Sequence, residues 1–503
     1  MIRSIQLNAD ASAIRREMSQ AESSHQQHHY NQRHHHRHHP ASDDSNTSDL
    51  IRRRLNSAND ETMIQQKLTP NDCNVRCNDS TGLWRMNFLW IFSSLSFSLP
   101  SSPMHKYSRI LYDYYESLAR LYDLIWSYVP PKLYLYCCYL TYLFWFMVGI
   151  LVLRKTQNAI AAVRYVKVHG MEVSEAAIEH SSEFKRLLWT LDHEFSRPPA
   201  IFFLNQYALN MTFNFLCNTN DLNGVHDRLI FITLDSTARD VLKEYWPNVR
   251  QLYWPTPSLY RPFSFAEGAY QTLYLLRANL AVCLLKHGKS FWMMQQDTFW
   301  RRNVFDLKYE ENFQYDAIFD QIGDGQNSQR AEWVNGANFF VHANNHTLRF
   351  FEAVARKLAH WYTPDMGIMI HQCHTWTKPK CGYIPHKIAH SWEWMYTDQK
   401  NPPYIMQLDC ETDGGSKLMQ LARFGFYFMN KNNSRICNQT AVDVARKRME
   451  SGQIEAPRAR LSWGRFQFKV YWWIVDYMLW TPVIGPLMKP YLPLVGFCIM
   501  ITI

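Results

Sequence analysis

The sequence predicts an α/β fold, a mixed sheet flanked by helices, preceded by a single-pass transmembrane helix and a disordered N-terminal tail. Three observations carry this expectation. Between residues 196 and 470 short apolar runs alternate with helical patterns, as a sheet covered by helices requires. The run from Leu133 to Leu153 contains no charged side chain. The first 80 residues are rich in Ser, Asn, Gln, Asp and His and show little apolar periodicity, so they bury too little surface to offset the entropy of ordering.

The segments follow in order. Residues 1–80 read as a disordered His-rich tail, with eight of the chain's 21 His between His25 and His39. Residues 81–132 read as a linker or weak additional hydrophobic segment, because the uncharged stretch 86–102 is broken by Ser93, Ser94, Ser96, Ser98 and Pro100. Residues 133–153 read as the transmembrane helix: at about 1.5 Å per residue the run spans roughly 30 Å, the thickness of the hydrocarbon layer. Tyr134, Tyr136 and Tyr139 mark one end, and Arg154 and Lys155 close the other. Residues 154–195 follow as a stem, 196–465 as the folded domain, and 466–503 as an apolar aromatic C-terminal tail that faces a membrane or packs.

Within the domain, Ala200–Leu204, Leu229–Leu234, Phe291–Met294, Ala317–Phe319 and Phe339–Val341 read as strands. Asp235 caps the helical pattern STARDVLKEY. Ser264 and Glu267 suit a capping box before GAYQTLYLLRANLAVCLLKHG, which Gly288 ends.

The charge balance is 53 − 44 = +9, but the charges are interspersed and no basic groove motif accompanies them, so nucleic acid is not a predicted partner. The large mixed α/β region supplies no series of spans and excludes a channel. The eleven Cys are too scattered for a Cys-dense scaffold, and Cys73 and Cys77 lack the second pair a zinc module needs. Cys217, Cys283, Cys373, Cys381, Cys410 and Cys437 are able to pair in an oxidising lumen, in several combinations. Sidedness has two opposed signals. Arg154, Lys155, Arg164 and Lys167 favour a cytosolic downstream flank, whereas the acceptor triplets beginning at Asn210, Asn345, Asn432 and Asn438 favour a luminal one.

Candidate chemistry sits at predicted strand ends, where open α/β sheets bind ligands. Asp297, after the strand beginning at Phe291, suits a divalent ion or a turn cap, with Gln295 one alternate position away. Two roles fit Asp235: helix cap, or acceptor for a base or ribose. Asn335 and Gly336 suit ligand positioning or an ordinary turn. Asp365 in WYTPDMG is a candidate pocket acid. His386 and His390 have the spacing of one helix face, but no HExxH or further ligand set supports zinc. There is no P-loop, Rossmann fingerprint, GxSxG or kinase signature.

The ordered set NQYALNMTFNFLC, RLIFITLD, MQQDTFW, VNGANFFVH and TPD resembles the nucleotide-diphospho-sugar transferase domain family, related to glycosyltransferases that include plant arabinosyl and xylosyl transferases. The resemblance covers roughly residues 196–415. It implies a GT-A-like domain that takes a nucleotide-sugar donor and a glycan or glycoprotein acceptor, with Mn²⁺ or Mg²⁺ assistance and retention at the anomeric carbon. It also implies a type II protein of the Golgi membrane, anchored in the lipid bilayer with its catalytic domain luminal. Carried over by position, Asp297 and Gln295 would hold the metal, and Asn205, Asp235, Asn335 and Gly336 the donor. Asp365, with Asp297, would serve catalysis. The family's two acids separated by one residue read here Gln295-Gln296-Asp297, so one charge is missing. That departure leaves a second expectation, a membrane-tethered, catalytically inactive scaffold with the same fold.

Overall fold

The computed structural model describes Arg120 and residues 130–262, 267–323, 332–396, 398–407, 417–430, 435–455, 473–482 and 484–494. The expected disordered tail, the stretch 86–102, Ser264, Cys410 and the Asn432 triplet lie outside them. The chain divides into two units, residues 1–145 and 146–503.

Helix α1 (Pro131–His169) begins in the first unit and ends in the second. Its segment Leu135–His169 is long and apolar enough to cross a membrane by length and composition. Along that stretch Leu140, Phe144, Phe146 and Leu153 are exposed, whereas Ala162 and Val166, near the helix's end, are buried. Helices α2 (Glu175–His180) and α3 (Ser182–His193) follow, capped by Ser174 and Ser181 side chains on the amides of Ala177 and Phe184. Val166, Ile178, Phe184 and Leu187, from the stretch read as a stem, are buried in the main core of the second unit.

The expected strands are present. They are β1 (Ala200–Leu204), β2 (Leu229–Thr233), β4 (Phe291–Met293), β6 (Ala317–Gln321) and β7 (Val334–Val341), joined by two that the sequence did not announce, β3 (Gln251–Tyr253) and β8 (Cys381–Ile384). They form a mixed sheet in the order β3-β2-β1-β4-β7-β6-β8. Pairing is parallel from β3 through β4 and between β6 and β8, while β7 runs antiparallel to both of its neighbours.

Successive strand residues face opposite sides, so the sheet separates two core layers. Ile201, Ile230, Phe291 and Phe339 pack on one side with α6 (Gly268–Lys286), and Phe202, Phe231, Trp292 and Phe340 on the other with α4 (Leu209–Thr219). Helix α6 is buried on nearly every side, which explains its continuous apolar composition. Its N-cap Glu267 makes no side-chain cap bond, and Gly288 just beyond its end takes a φ of 70°. Helices α5 (Ser236–Tyr245), α7 (Asn345–Leu358) and α8 (Asp365–Thr375) complete the cover.

A second, three-stranded sheet is formed by β5 (Thr298–Trp300), β9 (Ala389–Ser391) and β10 (Ile405–Gln407). It was not expected from the sequence. Two disulfides resolve the open pairing among those described: Cys217–Cys437 and Cys373–Cys381, leaving Cys283 a buried free thiol. In the C-terminal region Val475, Leu479 and Leu494 enter the core, while Trp473, Tyr477, Trp480 and Leu487 point outward.

Candidate active site

A cleft of about 300 Å³ lies beyond the carboxyl ends of β1, β2 and β4. The parallel strands β1, β2 and β4 deliver Asn205, Leu234 and Gln295-Gln296-Asp297 to its wall. From α6 come Tyr270, Tyr274 and Arg277, and from the start of α9 (Lys417–Arg423) comes Lys417. Open sheets bind ligands at this edge because neighbouring strands end together while their connecting loops diverge.

Asn205 and Asp235 frame one side. Asn205 accepts from the Tyr207 amide at 3.1 Å and donates to the Leu259 carbonyl at 3.1 Å. Asp235 is the N-cap of α5: one oxygen accepts from the Ala238 amide at 2.8 Å and the other from the Gln206 amide at 2.7 Å. The capping role expected of Asp235 is therefore filled, and the same carboxylate ties the loop after β1 to the loop after β2.

Asp297 is buried in a polar chain. Its Oδ1 accepts from Gln407 Nε2 at 2.8 Å, and its Oδ2 pairs with Lys417 Nζ at 2.5 Å. The antiparallel pairing of β10 with β5 places Gln407 opposite Thr298, next to Asp297. Gln407 Oε1 accepts from Asn338 Nδ2 at 3.0 Å, and that amide also donates to Asp320 at 3.2 Å. Asp320 lies at a register shift between β6 and β7, and its carboxylate accepts the amides of Gly336 and Asn338 at 2.9 and 2.8 Å. Burial pushes Asp320 up to about 7, against the lowering effect of those donors.

The chain ends in a buried ion pair. Arg277 donates to Asp365 at 3.1 Å and to the Gly336 carbonyl at 3.0 Å, with the two side chains only 7% and 3% exposed. Burial lifts Asp365 to about 6, opposed by the Arg277 charge. Gly336 has a φ of 79°, and a Cβ there would stand 3.1 Å from Met366 Cβ, so glycine permits α8 to approach β7.

The sequence-derived candidates are thus distributed unevenly. Asn205, Gln295 and Asp297 line the cleft, and Asp235 sits at its edge as a cap. Asp365 and Gly336 lie behind the wall, supporting Arg277. Asn335 stands beside Gly336 on β7. Lys417, Gln407, Asn338, Asp320 and Arg277 were missed. His386 and His390 do not share a helix face: His390 is in β9 and His386 in the preceding turn, with ring centroids 4.1 Å apart.

A divalent ion is poorly served by this donor set. Asp297 has an ammonium on one oxygen and an amide N–H on the other, and Gln295 brings no charge. Among the described residues no cluster of three His, Cys, Asp or Glu side chains is placed to hold a metal. The metal ligation expected of Gln295 and Asp297 does not fit the residues present.

Residues 224–421, under half of the chain, match the family model described as nucleotide-diphospho-sugar transferase. That range holds Asp235, Arg277, Asp297, Asp320, Asn338, Asp365, Gln407 and Lys417 but not Asn205. Among solved structures, the bifunctional glycosyltransferase WbbM in apo form is similar at 9% identity over 52% of each chain, with a TM-score of 0.32. Mouse xyloside xylosyltransferase 1, also apo, is 10% identical over 43% of this chain and 98% of its own, with a TM-score of 0.29. The galactosyltransferase LgtC in complex with donor and acceptor sugar analogues is 8% identical over 52% of this chain and 98% of its own, with a TM-score of 0.30. The chain spans about half the length of WbbM, and no curated protein matches it. The strand-end motifs Asp235, Asp297 and Asn335-Gly336 all fall within the residues that match the nucleotide-diphospho-sugar transferase family model.

Proposed function

We propose that the protein transfers a sugar from a nucleotide-diphosphate donor to a glycan or glycoprotein acceptor, with retention at the anomeric carbon. The observation that carries this reading is the cleft of the family-matched domain, where the ends of three parallel strands meet the Lys417 and Arg277 cations. In this reading Asn205 and Asp235 frame the nucleotide. Tyr270 and Tyr274, whose rings meet edge to face at 4.8 Å, supply an apolar wall for a ring of the donor. Asp297 and Lys417 face the diphosphate. Asp365, Asn335 and Gly336 act as positioning residues, Asp365 by holding Arg277 at the cleft.

A Golgi membrane location with the domain luminal belongs to the same proposal. It is supported by the apolar α1, by two disulfides that suit an oxidising compartment, and by the exposure of Asn210, Asn345 and Asn438 at the heads of acceptor triplets. The second reading, an inactive scaffold, is favoured by Gln295 standing where the family pattern has an acid.

The test uses the full-length protein from cells, purified in detergent and supplied with a panel of UDP- and GDP-sugars and oligosaccharide acceptors. Nucleotide-diphosphate release with one donor, together with a mobility shift on N-glycosidase treatment, is expected. Donor binding without turnover would favour the scaffold, and an unmodified cytosolic domain would contradict the topology.

A further inference from the structure

The Asp297 region is arranged for an organic cation. The amide of Gln407 is oriented by its neighbours: Oε1 accepts from Asn338, so Nε2 is the group turned to Asp297. Asp297 therefore meets a positive dipole on one oxygen and the Lys417 ammonium on the other. An oxygen-seeking divalent ion would have to expel Lys417 and sit against an N–H group. The charge balance gives the same result. Two acids and a divalent ion sum to zero, and so do Asp297 and Lys417, so the loss of one acid at Gln295 is matched by a monovalent cation. Lys417 lines the cleft, its side chain is 26% exposed, and Asp297 holds the ammonium at the cleft wall.

We propose that the Lys417 ammonium, seated on Asp297, takes the position of the divalent cation and binds the diphosphate of the nucleotide directly, so that nucleotide-diphosphate binding does not require metal. This rests on the nucleotide-sugar reading above and changes how the donor's charge is met. Lysine binds phosphate as a mobile point charge, and a charge-assisted contact of this kind is the strong class of hydrogen bond.

The experiment is calorimetric titration of the full-length protein in detergent with UDP and GDP, first in EDTA and then with Mn²⁺. The expected result is binding in EDTA, with an affinity that Mn²⁺ changes by less than about threefold, a difference worth under 1 kcal/mol. Lys417→Ala weakens that binding about ten- to hundredfold, and Lys417→Arg keeps most of it. UMP, with one phosphate fewer, is expected to lose less than UDP on Lys417→Ala. Thermal melting of each variant checks that the fold is intact. Binding that appears only with Mn²⁺ and vanishes in EDTA would overturn the proposal alone, and so would an unchanged affinity in a folded Lys417→Ala protein. Failure of both nucleotides under either condition would remove the nucleotide-sugar reading itself, and this proposal with it.

Discussion

Arg277→Met is expected to destabilise the protein by about 3–5 kcal/mol, the usual cost of removing one partner from a buried ion pair. Arg277 sits in the middle of α6 among Tyr274, Leu276, Ala278 and Leu280, all buried, and its charge is met by Asp365 and the Gly336 carbonyl. Methionine fills the space but removes the charged donor from the Gly336 carbonyl and from Asp365, whose remaining donor is the Met366 amide at 2.8 Å. The pH dependence has a definite sign. Asp365 has a folded-state value near 6, above the unfolded value of about 3.9, so its contribution to stability is fully present below the unfolded value and is lost as pH rises through 6. Without Arg277 the folded value climbs further, and the loss extends to higher pH. The variant should therefore lie nearest to wild type at about pH 5 and furthest from it at about pH 8. Denaturant titration at several pH values measures this directly. A penalty below about 1 kcal/mol, or one independent of pH, would contradict the pairing.

Breaking the Cys217–Cys437 disulfide is the second large effect. The bond joins residues 220 apart in sequence, tying the buried end of α4 to the segment just before α10 (Gln439–Glu450). Polar bonds cross the same joint: Asn214 donates to the Phe426 carbonyl at 3.0 Å and accepts from the Phe428 amide at 2.7 Å. Cys217→Ser is expected to cost about 2–5 kcal/mol, since the bond removes a long loop's freedom from the unfolded chain. Cys373→Ser opens a closure over only 8 residues and should cost less. Denaturation midpoints of the two variants, with and without reductant, test the order. Equal midpoints for Cys217→Ser and wild type would contradict it.

Much of the architecture was legible from the sequence because it is local. The boundaries of β1 coincide with the expected Ala200–Leu204, and α6 spans the apolar helical pattern to within a residue or two. The cap at Asp235 was legible for the same reason, since a helix start depends on residues adjacent in sequence. The site was only half legible. Asp297 was found from its place after a strand, but its partners arrive from residues 407 and 417 through the pairing of β10 with β5, a contact that no local pattern encodes. Two signals were present in the sequence. Arg277 is the one charged residue in the body of a mostly apolar helix and requires a buried anion, and Asp320 lies near the end of its strand as Asp235 follows its own. His386 and His390 show the opposite failure. Their helical spacing was real, but the chain there pairs as a strand, and tertiary context overrode the local period.

In the proposed function the cleft beyond β1, β2 and β4 holds the nucleotide sugar. Photo-crosslinking the full-length protein with an azido-substituted nucleotide-diphosphate sugar, followed by peptide mapping, tests it most directly. Labelling of the segments carrying Asn205–Met211 and Tyr270–Arg277, suppressed by excess unlabelled donor, is the predicted result. Labelling elsewhere, or labelling that excess donor does not suppress, would contradict the account.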